Sequence, residues 1–438
     1  MVLYGRALGF PFFYDDFFLV RPIETWRFGA ISPMRNYWRP LWTLWMSVQY
    51  QLFGLNPGPM HALSLALHVV NCWLVLSLLA AARVEKRVAI ATAALWTLMG
   101  GNATAIVWIS DCSNLIALML VLLATRLWIS VPGGKGLSLT RSALASALWM
   151  VAMLCKEVAF VWPVVAVAYT LRSSRRMPEG RAATRAGLAA LLPPLLALGG
   201  YFALRFAFMG RTAGFSIPQV GRTSLRALPL AAIVVARGVH YAEALLYNIL
   251  PLDLFQTWFG LVAGVVITLA LIGALIAAAR GLPPSHLGSL AWGLAWVALF
   301  SLHGSFNPLP RNLYFATLGT SFVLCTVSLT SQRFVRSLLP VLLLFAYVTM
   351  HACLGQQTAD YLSAGSLSSR IHSAQLLVGN DPLMAPGTIT PEKRELLRAQ
   401  LRFDDVRALS RQKEEETIWR SLLQRAFRRV FGGRSRSA

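Results

Sequence analysis

The chain has 438 residues, of which 56% are hydrophobic and only 13% are charged. Forty Lys and Arg against 18 Asp and Glu give a formal net charge of +22. This composition argues against a soluble domain. The charge does not indicate nucleic acid, because the Arg residues lie in short connections between apolar runs and in the tail. The five Cys are scattered without a CxxC pair, so neither a zinc site nor a disulfide framework is predicted.

Two adjacent carboxylates, Asp15 and Asp16, lie in the aromatic segment FPFFYDDFFLVRP near the start of the chain. Carboxylates are scarce in this protein, so the pair either caps a surface turn or takes part in chemistry at the membrane surface. No cleavable signal and no complete span precedes the pair in this sequence. If the pair lies outside the membrane, either the segment before it stops short of crossing, or a further apolar helix is encoded upstream of Met1, which is the expectation.

Long apolar runs recur from residue 60 to residue 355. A run of about 20 residues crosses a hydrocarbon core about 30 Å thick. Backbone groups have no water partners in lipid, so such runs form helices. We therefore predict an all-α, polytopic bundle whose spans have the approximate limits 60–82, 88–104, 112–130, 141–155, 158–171, 185–208, 257–280, 287–303, 311–330 and 334–354. The run from 141 to 171 is interrupted at Lys156–Glu157 and fits either two spans or one long bent span.

The distribution of Lys and Arg among the connections predicts the orientation of these spans. Basic connections are cytoplasmic by the positive-inside rule, and they lie near residues 83–87, 135–141, 172–185 and 333–336. The opposite connections then face the periplasm or lumen; they are 1–59, 101–111, 155–157, 209–256 and 304–311. The protein is therefore expected to be an integral, multi-pass membrane protein.

Three regions follow from this topology. Residues 1–59 form a first external loop with the acidic pair and an interfacial helix. Residues 60–355 form the membrane core, in which 209–256 is an external loop. The apolar stretch 226–250 in this loop could be a further span, but an interfacial helix is favoured because a span would put the Arg280 connection outside. Residues 356–438 form a polar, partly helical and basic tail.

The polar side chains of chemical interest fall on the external side of this topology. Such residues are costly beside lipid, so they should face a cavity or each other. Arg binds phosphate through a two-pronged fork, Lys binds it as a point charge, and a carboxylate can act as a general base toward a hydroxyl. Together they indicate sugar transfer from a polyprenyl phosphate. The candidate residues are Asp15, Asp16, Arg39, His61, Asp111, Lys156, Glu157, Arg205, Arg311 and Tyr314.

Simpler interpretations stay open for several of these residues. Asp15–Asp16 could cap a turn, and Lys156–Glu157 could be an ion pair that closes a helix bend. His61 and His68 share a helix face and could both be packing histidines. The residues with an interfacial alternative are Arg205 and Arg311, as snorkelling side chains, and Trp38, Trp42 and Trp45, as an aromatic belt.

Seven motifs between residues 10 and 355 carry a family resemblance; in chain order they are FFYDDFFLVRP, NYWRPLWTL, GLNPGPMHALSLALHVVN, VWISDCSNLIALML, CKEVAFVWP, YFALR and PRNLYFATLG. In this order the chain resembles the membrane glycosyltransferases of the C-type fold. It is most similar to bacterial relatives of the protein O-mannosyltransferases that carry tetratricopeptide repeats. The resemblance implies that Asp15 is the catalytic base beside Asp16, and that Lys156–Glu157 lies near the donor phosphate. It places Arg311 and Tyr314 in the same outer cavity.

The chain departs from that family in its second external loop. It keeps Trp108-Ile109-Ser110, and Asp111 could replace a carboxylate that the family has nearby. Where the family has His-Pro, Glu, Arg and Asp, this chain has Met99-Gly100, Thr104, Cys112 and Asn114. The tail also lacks a period of about 34 residues, so no repeat domain is expected in it.

The leading hypothesis is an integral membrane glycosyltransferase that moves a sugar, with a mannose-like hexose favoured, from a polyprenyl-phosphate donor. The acceptor would be a hydroxyl on a protein, envelope glycan or lipid, and the displacement would invert the sugar. Asp15 would deprotonate the acceptor, and Lys156, Arg205 and Arg311 would neutralise the departing phosphate. The alternatives are a transporter or flippase of lipid-linked sugar, and a non-catalytic membrane subunit of a glycan-assembly complex.

The expected partners are the lipid-linked sugar, the hydroxyl acceptor and membrane lipids. No cofactor is required by this hypothesis. A divalent metal ion stays open, because the carboxylates of Asp15, Asp16, Asp111 and Glu157 could bind one, although no spacing compels it.

Overall fold

A computed structural model describes residues 4–10, 12, 16, 23–29, 38–54, 56–99, 102–129, 138–174, 189–209, 282, 284–304 and 314–330, with the single residues 340, 343 and 347. All regular structure in this described part is helical, as predicted, and it contains no strand. The chain divides into two compact units, residues 1–10 with 18–359 and residues 11–17 with 360–438. The helices described below belong to the first unit.

The helices of the first unit have the following bounds, in chain order: α1 Pro40–Phe53, α2 Pro57–Ala81, α3 Lys86–Leu98, α4 Asn102–Val107, α5 Cys112–Ile129, α6 Leu139–Cys155, α7 Trp162–Ser174, α8 Leu192–Met209, α9 Pro284–Gly304 and α10 Tyr314–Thr330. Short 3-10 turns occupy Gly5–Gly9, Ile23–Thr25, Ile109–Asp111 and Glu157–Val161.

Local sequence explains several of these limits. The Asn56 side chain accepts a hydrogen bond from the Gly58 amide at 3.2 Å, which satisfies a free donor at the start of α2. Pro57 occupies the first position of that helix, where no backbone N–H is needed. Gly54 ends α1 with a φ of 59°, a left-handed value that favours glycine.

The predicted interruption at Lys156–Glu157 is a real break between two helices. Helix α6 ends at Cys155, and Lys156 is extended, with φ −155° and ψ 129°. A 3-10 turn follows from Glu157 to Val161 before α7 begins. Of the two alternatives for residues 141–171, the structure therefore shows two helices. The break brings Lys156 and Glu157 into the protein interior, where both side chains are buried.

The predicted span 88–104 is wrong at its C-terminal end. Helix α3 ends at Leu98 because Met99 leaves the helical region, with φ −64° and ψ 120°. The Gly100–Gly101 pair follows in the sequence, and glycine lowers helix stability. A separate short helix, α4, covers most of the segment predicted to be an external loop, and its described side chains are buried.

Three helices in the described part are long and apolar enough to cross a membrane: Pro57–Ala81, Ile109–Ile129 and Leu192–Met209. Shorter apolar helices cover Leu139–Cys155, Glu157–Thr170, His286–Phe300 and Tyr314–Thr330. The predicted span 257–280, nearly all of the loop 209–256 and the tail 356–438 lie outside the described residues, and 334–354 is described only at isolated positions.

Large apolar side chains remain exposed on two of the long helices. Trp73 on α2 is 65% exposed, and Leu196 on α8 is 66% exposed. A soluble monomer rarely exposes such contiguous apolar surface, whereas lipid would cover it at no cost. These faces agree with membrane association.

Helices α9 and α10 are held at close range by two glycines. A Cβ at Gly319 would lie 2.8 Å from the Gly293 carbonyl oxygen and 2.9 Å from a Val297 methyl carbon. The Trp296 indole N–H donates to the Phe315 carbonyl at 2.8 Å across the same contact. Small residues at such crossings let two backbones approach closely, and this is a common way for membrane helices to associate.

The close packing at Gly319 predicts that an alanine destabilises the protein there but not at Gly200. Gly319→Ala should destabilise the fold by about 1–3 kcal/mol, because backbone atoms of α9 would have to shift. Gly200→Ala is the matched control, since nothing lies within 4 Å of a Cβ there. Thermal unfolding of both variants in detergent micelles measures the difference. Equal unfolding temperatures for Gly319→Ala and the wild type would contradict the close packing.

Candidate functional site

The break between α6 and α7 places Glu157 between two arginines from distant parts of the chain. The Arg39 Nε donates to Glu157 Oε2 at 2.8 Å, and Arg39 Nη2 lies 2.7 Å from the same oxygen. Arg205, on α8, has its Nη1 3.7 Å from Glu157 Oε1. All three residues are at most 7% exposed. One carboxylate therefore ties together the start of α1, the helix break and α8.

The neighbouring lysine makes a second ion pair. Lys156 Nζ lies 3.5 Å from Asp111 Oδ1, and both residues are buried. Asp111 ends the 3-10 turn that precedes α5. Because Lys156 and Glu157 are adjacent in the chain, both ion pairs are anchored at the same helix break. We call the five residues Arg39, Asp111, Lys156, Glu157 and Arg205 the charge cluster.

Aromatic side chains support both arginines. The Arg205 Nη1 donates to the Tyr201 hydroxyl at 2.8 Å, one helical turn earlier on α8. The Arg39 guanidinium lies 5.5 Å from the centroid of the Trp42 ring, at cation–π distance. Trp42 is 5% exposed and Trp38 is fully buried, so the structure packs both inside protein instead of exposing them as an interfacial belt.

The charge cluster carries a net positive charge in a low-dielectric interior. Its three cations and two carboxylates are buried, and burial of charges is costly unless they are paired. Electrostatic interactions there are stronger than in water. An anionic group could replace part of the carboxylate contact and meet two guanidinium forks and one ammonium. The arrangement is thus suited to binding a phosphate.

Two of the predicted site residues make their hydrogen bonds elsewhere. The Tyr314 hydroxyl, at the start of α10, is hydrogen-bonded to His68 Nδ1 at 2.8 Å and accepts from Asn71 Nδ2 at 3.5 Å. His61 Nε2 lies 3.2 Å from the Phe10 carbonyl oxygen. His68 has the packing role that the sequence left open, since its ring also lies against Trp96.

Of the acidic pair, only Asp16 lies within the described residues. Asp16 belongs to the second unit and is fully buried. Asp15 and Arg311 lie outside the described residues. The structure therefore brings together five of the predicted residues, namely Arg39, Asp111, Lys156, Glu157 and Arg205.

Three neighbours of the cluster are not among the predicted site residues, although the sequence marks Asn114 as the counterpart of a family Asp. Tyr201 could have been found from its spacing four residues before Arg205. Trp42 follows Arg39, the residue before α1, by three positions, a spacing that likewise places two side chains on one face of a helix. Asn114 follows Asp111 by three residues, and its buried amide has no hydrogen-bond partner among the described residues. No sequence signal reveals that last property.

The described residues include no group of three or more His, Cys, Asp or Glu side chains placed to hold a metal ion. In comparisons with known proteins, no family model, curated protein or solved structure matches this chain. The family resemblance therefore remains a prediction that rests on the seven motifs.

The bridge at Glu157 predicts energetic coupling with Arg39. Glu157→Gln should destabilise the protein by about 3–5 kcal/mol, because it leaves buried guanidinium charges uncompensated. Adding Arg39→Gln removes one of those charges, so the double variant should be more stable than the sum of the single losses by at least about 1 kcal/mol. Denaturant unfolding in mixed micelles measures all four corners of the cycle.

Glu24→Gln is the control for this cycle. Glu24 is exposed in the 3-10 turn Ile23–Thr25, and its loss should change the free energy of unfolding by less than about 0.5 kcal/mol. Additive effects of the Glu157 and Arg39 substitutions would show that the two side chains are not coupled.

Proposed function

We propose that this protein is a multi-pass membrane glycosyltransferase that transfers a sugar from a polyprenyl phosphate to a hydroxyl acceptor. The observation that carries the proposal is the buried charge cluster, in which Arg39, Lys156 and Arg205 converge on one helix break. Such a group of cations in an apolar helical protein fits the phosphate of a lipid.

The proposed topology is a bundle of about ten spans, each near the length that the bilayer requires. The three long apolar helices and the shorter apolar helices support this arrangement. By the positive-inside rule the cluster faces the outer side, which is the periplasm of a bacterial inner membrane. The resemblance to membrane glycosyltransferases of the C-type fold, which places the Lys156–Glu157 pair near the donor phosphate, agrees with this orientation.

The proposed reaction is a single displacement at the anomeric carbon of the sugar. The acceptor hydroxyl oxygen forms a bond to that carbon, and the bond from the carbon to the phosphate oxygen breaks. The electron pair leaves with the polyprenyl phosphate, whose negative charge increases. Asp15 takes the acceptor proton as general base, a role that rests on the sequence. Inversion at the sugar carbon follows from the single attack.

The charge cluster would act mainly on the leaving group. Lys156 supplies a point charge, and the two guanidinium groups supply forked donors to phosphate oxygens. Glu157 orients both arginines before substrate arrives, so little reorganisation is needed as charge develops. Asp111 holds Lys156 in the same way. The choice of a mannose-like hexose as the sugar, and of a protein, envelope glycan or lipid as the acceptor, rests on the family resemblance.

The transfer assay tests this proposal directly. Full-length protein in proteoliposomes receives a polyprenyl phosphate that carries one radiolabelled hexose, together with a cell-envelope extract as acceptor. Asp15→Asn should lower transfer at least about 100-fold, the usual contribution of a general base, while donor binding persists. Lys156→Gln should weaken donor binding roughly tenfold, because charged hydrogen bonds contribute about 1.5–3 kcal/mol.

Lys86→Gln is the matched control, since Lys86 is exposed at the start of α3 and should not affect transfer. Wild-type transfer by the Asp15→Asn variant would contradict the assignment of the base. Movement of the labelled lipid across the bilayer without a covalent product would show that the protein is a transporter and not an enzyme. Neither binding nor transfer by the wild type would favour the non-catalytic subunit.

A further inference from the structure

Asn114 follows the charge-cluster residue Asp111 by three positions, and the hydrogen-bonding capacity of its buried side chain is unused. Asn114 is 1% exposed, and neither Nδ2 nor Oδ1 has a partner within the described part of the chain. An amide in the protein interior normally finds partners, because leaving it unpaired is costly. This side chain is therefore unfavourable for stability and calls for another explanation.

Another buried asparagine shows the contrast. The Asn102 Nδ2 donates to the Trp96 carbonyl at 2.6 Å, and its Oδ1 accepts from the Thr317 hydroxyl at 2.9 Å. Asn102 links α3, α4 and α10 through these bonds, which is a structural role. Asn114 has no comparable contact to any helix in the described part.

Asn114 follows Asp111, the ion-pair partner of Lys156, by one helical turn. The segment Ile109–Ile129 is one continuous helical stretch that contains both Asp111 and Asn114. Residues three apart on a helix share a face, so the two side chains are neighbours. Asp111 is in turn 3.5 Å from the Lys156 ammonium. A phosphate held by Lys156 would therefore bring whatever is attached to it close to the Asn114 amide.

The chemistry of the amide points to a neutral ligand group. An amide presents donors on its nitrogen and an acceptor on its oxygen, and a hydroxyl likewise donates and accepts. Ammonium and guanidinium groups only donate, and they suit anions. The charge cluster and Asn114 together therefore match a ligand in which hydroxyls lie next to a phosphate, as in a sugar phosphoester.

We propose that Asn114 is a specificity-determining residue that hydrogen-bonds a ring hydroxyl of the donor sugar. This inference rests on the proposed function and narrows it, because it assigns sugar recognition to the start of α5 and phosphate recognition to the cations. A polyprenyl phosphate without a sugar would contact only the cations Arg39, Lys156 and Arg205. A merely structural asparagine would affect both lipids alike.

The test compares two probes on the full chain in lipid nanodiscs. One probe is a short polyprenyl phosphate that carries a single hexose, and the other is the same polyprenyl phosphate without the sugar. The wild type should bind the first roughly tenfold more tightly, a ratio that corresponds to about 1.4 kcal/mol. Asn114→Leu, similar in size but apolar, should reduce that ratio to near one while the affinity for the sugar-free probe stays within about twofold of that of the wild type.

Thermal unfolding of the same samples without ligand gives an independent readout. Asn114→Leu should keep or raise the unfolding temperature, because it replaces unpaired polar atoms by apolar ones. Asn102→Leu is the matched control and should lower the unfolding temperature without changing the binding ratio. Asn114→Ala provides the same comparison without added bulk.

Three other results would overturn the role of Asn114, and they distinguish its failure from failure of the proposed function. Equal loss for both probes would make Asn114 a structural residue, as would a lowered unfolding temperature in both Asn114 variants. An unchanged ratio would remove Asn114 from recognition while leaving the phosphate site intact. Failure of the wild type to bind either probe would overturn the proposed function, and the inference with it.

Discussion

The bridge from Glu157 to Arg39 and Arg205 is the interaction on which the candidate site depends. It spans 118 positions of sequence between Arg39 and Glu157, and it joins the start of α1 to the α6–α7 break and to α8. Without the carboxylate, two guanidinium charges would be buried in an apolar helical protein with little compensation. The helix break makes the bridge possible, because it turns Lys156 and Glu157 toward the interior while the helices on either side stay regular.

The cost of burying these charges is itself informative. A buried ion network adds little stability compared with apolar packing, so it is weak as a purely structural device. The same network is well suited to hold cations in fixed positions for an incoming phosphate. The chain has ample apolar surface for stability, as the packing of α9 against α10 around Gly319 illustrates. The proposed function gives these buried charges a role that stability alone does not.

Sequence reasoning succeeded where the signal was local. Apolar runs predicted the helical class, and the Lys156–Glu157 interruption predicted a break within a few residues. The pairing of Arg39 with Glu157 could not be derived, because it depends on how α1 packs near the break. The same limit applies to Tyr314: the resemblance places it with Arg311 in an outer cavity, whereas the hydrogen bond of its hydroxyl to His68 on α2 has no signal in the sequence. The unpaired amide of Asn114 became visible only when its surroundings were known.

We propose that the charge cluster binds the phosphate of a polyprenyl lipid. The most direct measurement compares the affinity of the full-length protein in nanodiscs for a polyprenyl phosphate and for the polyprenol of the same chain length. The polyprenyl phosphate should be bound at least roughly tenfold more tightly than the polyprenol, because charged hydrogen bonds contribute about 1.5–3 kcal/mol. Equal affinity for the two lipids would show that the cluster does not recognise phosphate.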